Sequence, residues 1–471
     1  MSRKKLDFRA DAFRNVLGFT FRHWRGQPWR VAAIALLVLL ATLAEALSPL
    51  YAGQLVDAIA GGNNDALTAA LTAFITMSVL YLASVVLRQF VFFNIIALTL
   101  KMMGEIAASA FHRVQRFSTD WHANAFAGST VRKITRGMWA LDLLNDTLLV
   151  ALLPSTIMLV GATLILGSYW PVMGLLVGVG SLVYIGVTVA LSTGYVAPAA
   201  TLANAWDTRM GGALADAVSC NNVVKAFGAE TREEQRLHQV IGKWDHRTRR
   251  TWKRGTLAGG VQGIMMASMQ TAILGLVLWL WTQGQATPGD IAFVLTMFFL
   301  LSGHLRDVGM HIRNLQRSVN DMEELVALYA HPLGIDDKAG ATPIAIGEGG
   351  IKFDRVTFQY GAHPTPLYRD FSVEIKPGER VGLVGHSGSG KTTFVKLIQR
   401  LYDVNDGAIT IDGQNIAEVQ QSSLRGQLAI VQQEPILFHR TLAENISYGR
   451  PGASRGDIIE AAKQANAHYF I

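Results

Sequence analysis

"RVGLVGHSGSGKTTFVKLIQRL", residues 380–401, decides the reading of this chain. Gly385, Gly390, Lys391 and Thr392 fit G-x-x-x-x-G-K-[ST], with an apolar run before them and an apolar-periodic helix after them. The pattern predicts a phosphate cradle between a buried strand and a helix. Glycines let backbone N–H groups converge on a β-phosphate without side-chain clash, and the helix turns its positive N-terminal end to the anion. Lys391 brings a mobile positive charge to the β- and γ-phosphates, and the Thr392 hydroxyl is placed to ligand magnesium. The nucleotide-binding candidates are Gly385, His386, Ser387, Gly388, Ser389, Gly390, Lys391, Thr392 and Thr393, with ATP and Mg2+ as their ligands.

Upstream of this loop the chain is oily. Of 471 residues, 50% are hydrophobic and only 16% charged, and the mean hydropathy is +0.26. That is too apolar for an ordinary soluble enzyme of this length. The single cysteine, Cys220, excludes an internal disulfide and marks no paired-Cys metal site. The net charge of +7 is spread in a way that argues against nucleic acid: the basic residues crowd at the N-terminus and between hydrophobic segments, as in the cytoplasmic loops of a membrane protein.

Six apolar segments, at 31–52, 67–98, 140–169, 171–198, 256–282 and 288–312, each hold the about 20 residues that a helix needs to cross about 30 Å of hydrocarbon. The first is too long, and too poor in a small-residue cleavage site, for a removable signal. Residues 1–30 carry eight Lys or Arg, 99–139 six and 199–255 ten, whereas 57–68, 168–172 and 282–290 carry none. This alternation places both termini in the cytoplasm. The two long inner connections read as helical stalks reaching beyond the membrane, or more blandly as solvated ends of the spans. "FRADAFRNVLGFTFRHWRG" (8–26) suits an amphipathic helix on the inner leaflet, with a plain solvated leader as the alternative.

Beyond residue 312 a helix continues to Pro332, and "DDKAGATPIAIGEGG" (336–350) has linker composition. "IKFDRVTFQY" and "FSVEIKPGERVGLVG" then predict three strands, with a Pro-Gly turn inside the second stretch. The domains expected are a lead-in at 1–30, a six-helix membrane domain at 31–325, a linker at 326–349 and a partial nucleotide-binding domain at 350–471. The fold class is an all-α polytopic membrane domain with long intracellular extensions, followed by a partial α/β P-loop NTPase domain.

Taken together, the six spans, the stalks and "GHSGSGKTT" resemble an ABC exporter of the half-transporter kind, over nearly the whole chain. "VTFQY" (356–360) resembles the family's A-loop, which implies that Tyr360 stacks on adenine; a cross-strand packing aromatic is the alternative. "SLRGQLAIVQQEPILFHRTLAENISYG" (423–449) resembles the Q-loop region, which implies that Gln433 completes the magnesium shell and orients water, unless it is a plain turn residue. "YDVNDGAITIDGQNI" resembles the hairpin after the first helix. "ADAVSCNNVVKAFGAE" resembles the second intracellular loop, which docks on the partner's nucleotide domain, and residues 118–131 its first-loop counterpart. The resemblance implies ATP-driven export or flipping of an amphipathic, lipid-like or drug-like substrate by a dimer, most simply a homodimer, in a bacterial-type inner membrane.

The resemblance also has gaps. The family's LSGGQ signature, Walker B aspartate, following glutamate and switch histidine have no counterpart in 350–471; "SLRGQ" (423–427) lies before the Q-loop, on the wrong side. The expectation is therefore a C-terminally truncated copy that carries no catalytic carboxylate and does not hydrolyse ATP. The alternatives are a non-hydrolytic ATP-binding membrane protein and a nonfunctional fragment; a P-loop kinase fused to a receptor fits the six spans poorly. Within the spans, Glu45 sits about 21 Å from the inner end of its helix. It is either a substrate- or proton-contacting group in the path or one side of a helix–helix hydrogen bond. Arg88, His304 and Arg306 lie nearer the inner face, where snorkelling or the start of the stalk accounts for them more simply than a functional role.

Overall fold

A computed structural model describes residues 10–61, 65–125, 127–361, 365–431 and 436–471. These residues form two compact units: Met1–His112 with Gly128–His331, and Arg113–Ala127 with Pro332–Ile471.

The first unit is helical. After α1 (Ala10–Arg25) come six long helices, α2 (Pro28–Gly61), α3 (Ala66–Val114), α5 (Gly128–Tyr169), α6 (Pro171–Ser219), α8 (Glu230–Thr282) and α9 (Pro288–Ala330). Two short helices lie in the long connections: α4 (Thr119–Asn124), which belongs to the second unit, and α7 (Asn221–Ala226), which belongs to the first. All six long helices are apolar enough to cross a membrane. At 1.5 Å per residue the 53 residues of α8 run about 80 Å, far beyond the hydrocarbon thickness, so the extensions expected from the sequence are helical.

Local irregularities follow the prolines. α5 widens into a π-helical stretch at Asp146–Leu152 just before Pro154, and α6 does so at Leu191–Val196 just before Pro198. A proline in a helix removes one N–H donor and crowds the carbonyl four residues back, and a widened turn absorbs both. α9 breaks at Asp307, where one turn residue separates Pro288–Arg306 from Val308–Ala330.

α2 and α9 cross so closely that a Cβ on Gly53 would stand 2.6 Å from the Gly289 carbonyl oxygen. Asp57 closes that crossing, accepting from Thr287 Oγ1 at 2.6 Å and from the Gly289 N–H at 2.7 Å. Thr287 and Asp290 form a capping box on the same helix start. The core beneath contains Met158, Leu166, Met173, Val277, Phe293 and Met297, all buried. α1 is not simply laid on lipid: Val16, Phe19 and Thr20 are buried, and Phe19 meets Tyr329 of α9 at 5.2 Å. Trp24 at its end donates to Asn145, which donates on to Thr99 of α3.

The second unit holds a four-stranded antiparallel sheet in the order β2 (Tyr368–Ile375), β1 (Ile351–Phe358), β3 (Asp406–Ile411), β4 (Gln414–Asn415). Helix α10 (Lys391–Ile398) packs on it, and Phe394 stacks on Phe353 at 4.5 Å. Three small helices follow, α11 (Gln421–Gly426), α12 (Leu442–Ile446) and α13 (Arg455–Gln464).

Two sequence expectations need correction here. The apolar run 380–385 turns at Pro377–Gly378 as expected but forms no strand, and Val384 is 94% exposed. A strand exists only through hydrogen bonds to a neighbour, and no described segment lies beside this one. The stretch read as a linker is seated on the sheet unit. Ile344 is buried, Thr342 bridges to Val419, and Ser423, Gln414 and Gln427 bond the backbone of 344–346. The N–H groups of Gly347, Glu348, Gly349 and Gly350 all converge on the Asp412 carboxylate.

Candidate nucleotide site

The phosphate loop is built by backbone conformation. Gly385, Gly388 and Gly390 all have positive φ, at +153°, +85° and +96°. A Cβ on Gly390 would stand 2.8 Å from the Tyr368 hydroxyl oxygen, and one on Gly385 2.6 Å from Ser389 Oγ, so neither position admits a side chain without displacement. Tyr368 in β2 donates to the Gly390 carbonyl at 2.8 Å and fixes the point where the loop becomes helix. Burial, with Tyr360 nearby, raises the Tyr368 pKa, which keeps this hydroxyl a donor.

Lys391 leads α10, and its ammonium folds back over the loop, donating to the carbonyls of Gly385 and His386, each at 2.8 Å. Ser389 Oγ lies 3.5 Å away. His386 Nδ1 lies 2.8 Å from the Ser387 carbonyl. A cavity of about 670 Å³ opens beside the loop, lined by Tyr360, Thr365, Pro366, Leu367, Ser387, Gly388, Gly390, Lys391, Thr392 and Thr393. That volume lies in the ordinary range for a small-molecule site. Thr392 is exposed in the first helical turn, while Thr393 is buried and its Oγ1 lies 2.8 Å from the Tyr360 hydroxyl.

These residues fit a nucleoside triphosphate with its metal. The N-terminus of α10 and Lys391 offer positive charge to phosphates, Thr392 is the side chain that would hold magnesium, and Tyr360 lines the same cavity. Gln433 lies outside the described residues. "SLRGQ" is occupied structurally: Ser423 and Gln427 bond Ile344, Gln427 also bonds Ile346, and Arg425 bonds the carbonyls of Gln399 and Arg400.

Sequence reasoning did not anticipate Tyr368 or Tyr402 as parts of the site. Tyr402 stands perpendicular to Tyr360 at 5.0 Å. Neither was singled out by a motif; only the pairing of distant segments joins them to the site. In the helical unit, Glu45 accepts from Arg88 of α3 at 2.6 Å, a contact between two helices. His304 meets Ser155 of α5 at 3.2 Å. On and beside α7, Val218, Val223 and Phe227 are exposed.

Comparison with known proteins matches both regions. Residues 31–305 fit the family described as ABC transporter transmembrane region, and 368–470 the family described as ABC transporter. An ATM1-type heavy metal exporter of Novosphingobium aromaticivorans is 32% identical over 460 residues, 94% of this chain and 73% of that protein. A mitochondrial iron-sulfur clusters transporter ATM1 of Gibberella zeae is 31% identical over 373 residues, 78% of this chain and 53% of that protein. The structure of a bacterial Atm1-family ABC exporter with ATP bound superposes with a TM-score of 0.77 at 28% identity, covering 94% of this chain and 78% of that one. The chain belongs to the ABC transporter family, as an exporter-type half-transporter in which a transmembrane region is fused to a nucleotide-binding domain.

Proposed function

We propose that this protein is one subunit of a dimeric, ATP-driven exporter of the Atm1 type. The observation that carries the proposal is the likeness over 94% of the chain to an Atm1-family exporter that holds ATP, together with a phosphate loop whose glycines, lysine and cavity suit that ligand. The asymmetry of loop charge supports a bacterial-type inner membrane with both the N-terminus and the nucleotide-binding domain in the cytoplasm. The exposed Val218, Val223 and Phe227 suit docking on a second copy's nucleotide domain.

For the cargo, the names of the relatives favour heavy-metal or iron–sulfur chemistry over the drug-like class. Gln262 Nε2 and Arg313 Nη1 both approach Gly309, where an amide and a guanidinium suit an anionic group. A soft metal carried in an anionic organic complex fits that chemistry. Turnover needs a signature segment and a catalytic carboxylate, so residues 350–471 by themselves are expected to hold ATP without hydrolysing it.

The test is accumulation of cadmium, free or bound by a small anionic dithiol, in inverted vesicles carrying the full-length protein. ATP-dependent uptake of the complex, lost in Lys391→Ala, is the expected result. Uptake indifferent to ATP or to Lys391, or transport of a labelled lipid in its place, would contradict it.

A further inference from the structure

We propose that Tyr402 is a positioning residue that sets the Tyr360 ring for the adenine base. The inference rests on the reading of Tyr360 as the base-stacking residue. Tyr360 is fixed from three directions. Its hydroxyl meets Thr393 Oγ1 at 2.8 Å, at the start of α10. Phe358 stands perpendicular to it at 4.8 Å, and Tyr402 perpendicular at 5.0 Å. Phe358 and Tyr402 also meet each other at 5.7 Å, so the three rings form one cluster.

Phe358 belongs to β1 and is 2% exposed, so the sheet core holds it. Tyr402 lies in the segment between α10 and β3, outside any helix or strand, and packs half-buried against the same core. It does not line the cavity, so it acts on a bound base only through Tyr360, which does.

Perpendicular aromatic pairs and base stacking both depend on ring orientation. Loss of the Tyr402 ring should therefore weaken recognition of the base while leaving recognition of the phosphates intact. Inorganic triphosphate separates the two, because it engages the loop and Lys391 but has no base.

The experiment measures Kd for Mg-ATP and for magnesium triphosphate on the whole chain in lipid nanodiscs. The variants are Tyr360→Ala, Tyr402→Ala and Tyr402→Phe. Tyr360→Ala should weaken ATP about 5- to 150-fold, as loss of one base–aromatic stack implies. Tyr402→Ala should weaken ATP roughly 2- to 12-fold, the scale of one aromatic pair. Tyr402→Phe keeps the ring and should leave ATP affinity close to that of the wild type. Triphosphate affinity should be unchanged throughout, which also reports that each variant is folded. If Tyr360→Ala leaves the ATP-to-triphosphate ratio unchanged, the base-stacking reading fails and this proposal with it. If Tyr360→Ala shifts the ratio and Tyr402→Ala does not, the positioning role alone is overturned.

Discussion

Removing the Glu45 carboxylate isolates a guanidinium inside the membrane unit. Arg88 Nη2 and Glu45 Oε2 are 2.6 Å apart, with the side chains 46% and 22% exposed. Two unit charges about 4 Å apart attract by about 4 kcal/mol at an effective dielectric of 20, an upper bound here because Arg88 is half exposed. A lower bound comes from neutral interhelical hydrogen bonds in membranes, which average about 0.6 kcal/mol. An unpaired arginine at the centre of a spanning helix costs about 2.5–3.5 kcal/mol on insertion scales. Glu45→Ala should therefore cost about 2–3 kcal/mol, roughly a 30- to 150-fold fall in the folded-to-unfolded ratio. The double variant with Arg88→Ala should be more stable than the sum of the singles implies, by a coupling of about 1–2 kcal/mol. Unfolding by SDS titration from mixed micelles reads all four corners of the cycle. Costs that add to within about 0.5 kcal/mol would refute the pairing and return Glu45 to the substrate path.

Three further outcomes follow from the nucleotide-binding unit. Arg400 is only 3% exposed and bonds Asp403, the Val419 carbonyl and the Asp336 carbonyl, so Arg400→Met should destabilise this unit by about 2–4 kcal/mol, read as lowered protease resistance of residues 332–471. Asp412 accepts four backbone N–H bonds that hold its carboxyl below the ordinary 3.8. The stabilisation it gives is thus full above that value and fades as pH falls through it toward the folded pKa; Asp412→Asn should unfold more readily at neutral pH and show a shallower acid dependence in denaturation. Gly390→Ala should weaken Mg-ATP binding at least tenfold in equilibrium titration, because its Cβ meets the Tyr368 hydroxyl at 2.8 Å in a left-handed backbone.

Legibility in the sequence follows the range of the interaction. The phosphate loop reads out because its function lies in backbone conformation and one lysine, all within residues 385–392. The six spans read out because lipid demands a continuous apolar run. The strand expected at 380–385 failed for the converse reason: an apolar run predicts a strand, but pairing depends on a neighbour. The stretch at 336–350 looks like a linker because its composition is Gly- and Ala-rich; its anchors, Asp412, Gln414 and Gln427, lie more than 60 residues away. The widened turns of α5 and α6 were readable in principle from Pro154 and Pro198. Glu45 was noticed as costly, but Arg88, its partner 43 residues on, is a matter of tertiary structure. Tyr402 opens one of the quoted stretches, but its packing against Tyr360 is tertiary and leaves no local signature.

The central claim is that residues 385–393 hold the phosphates of a nucleotide through Lys391 and the start of α10. Equilibrium binding of Mg-ATP to the whole chain in nanodiscs, for wild type and Lys391→Ala, tests it most directly. The predicted result is saturable, magnesium-dependent binding that falls at least tenfold, or about 1.4 kcal/mol, without the ammonium. Equal affinity in the two proteins would contradict it.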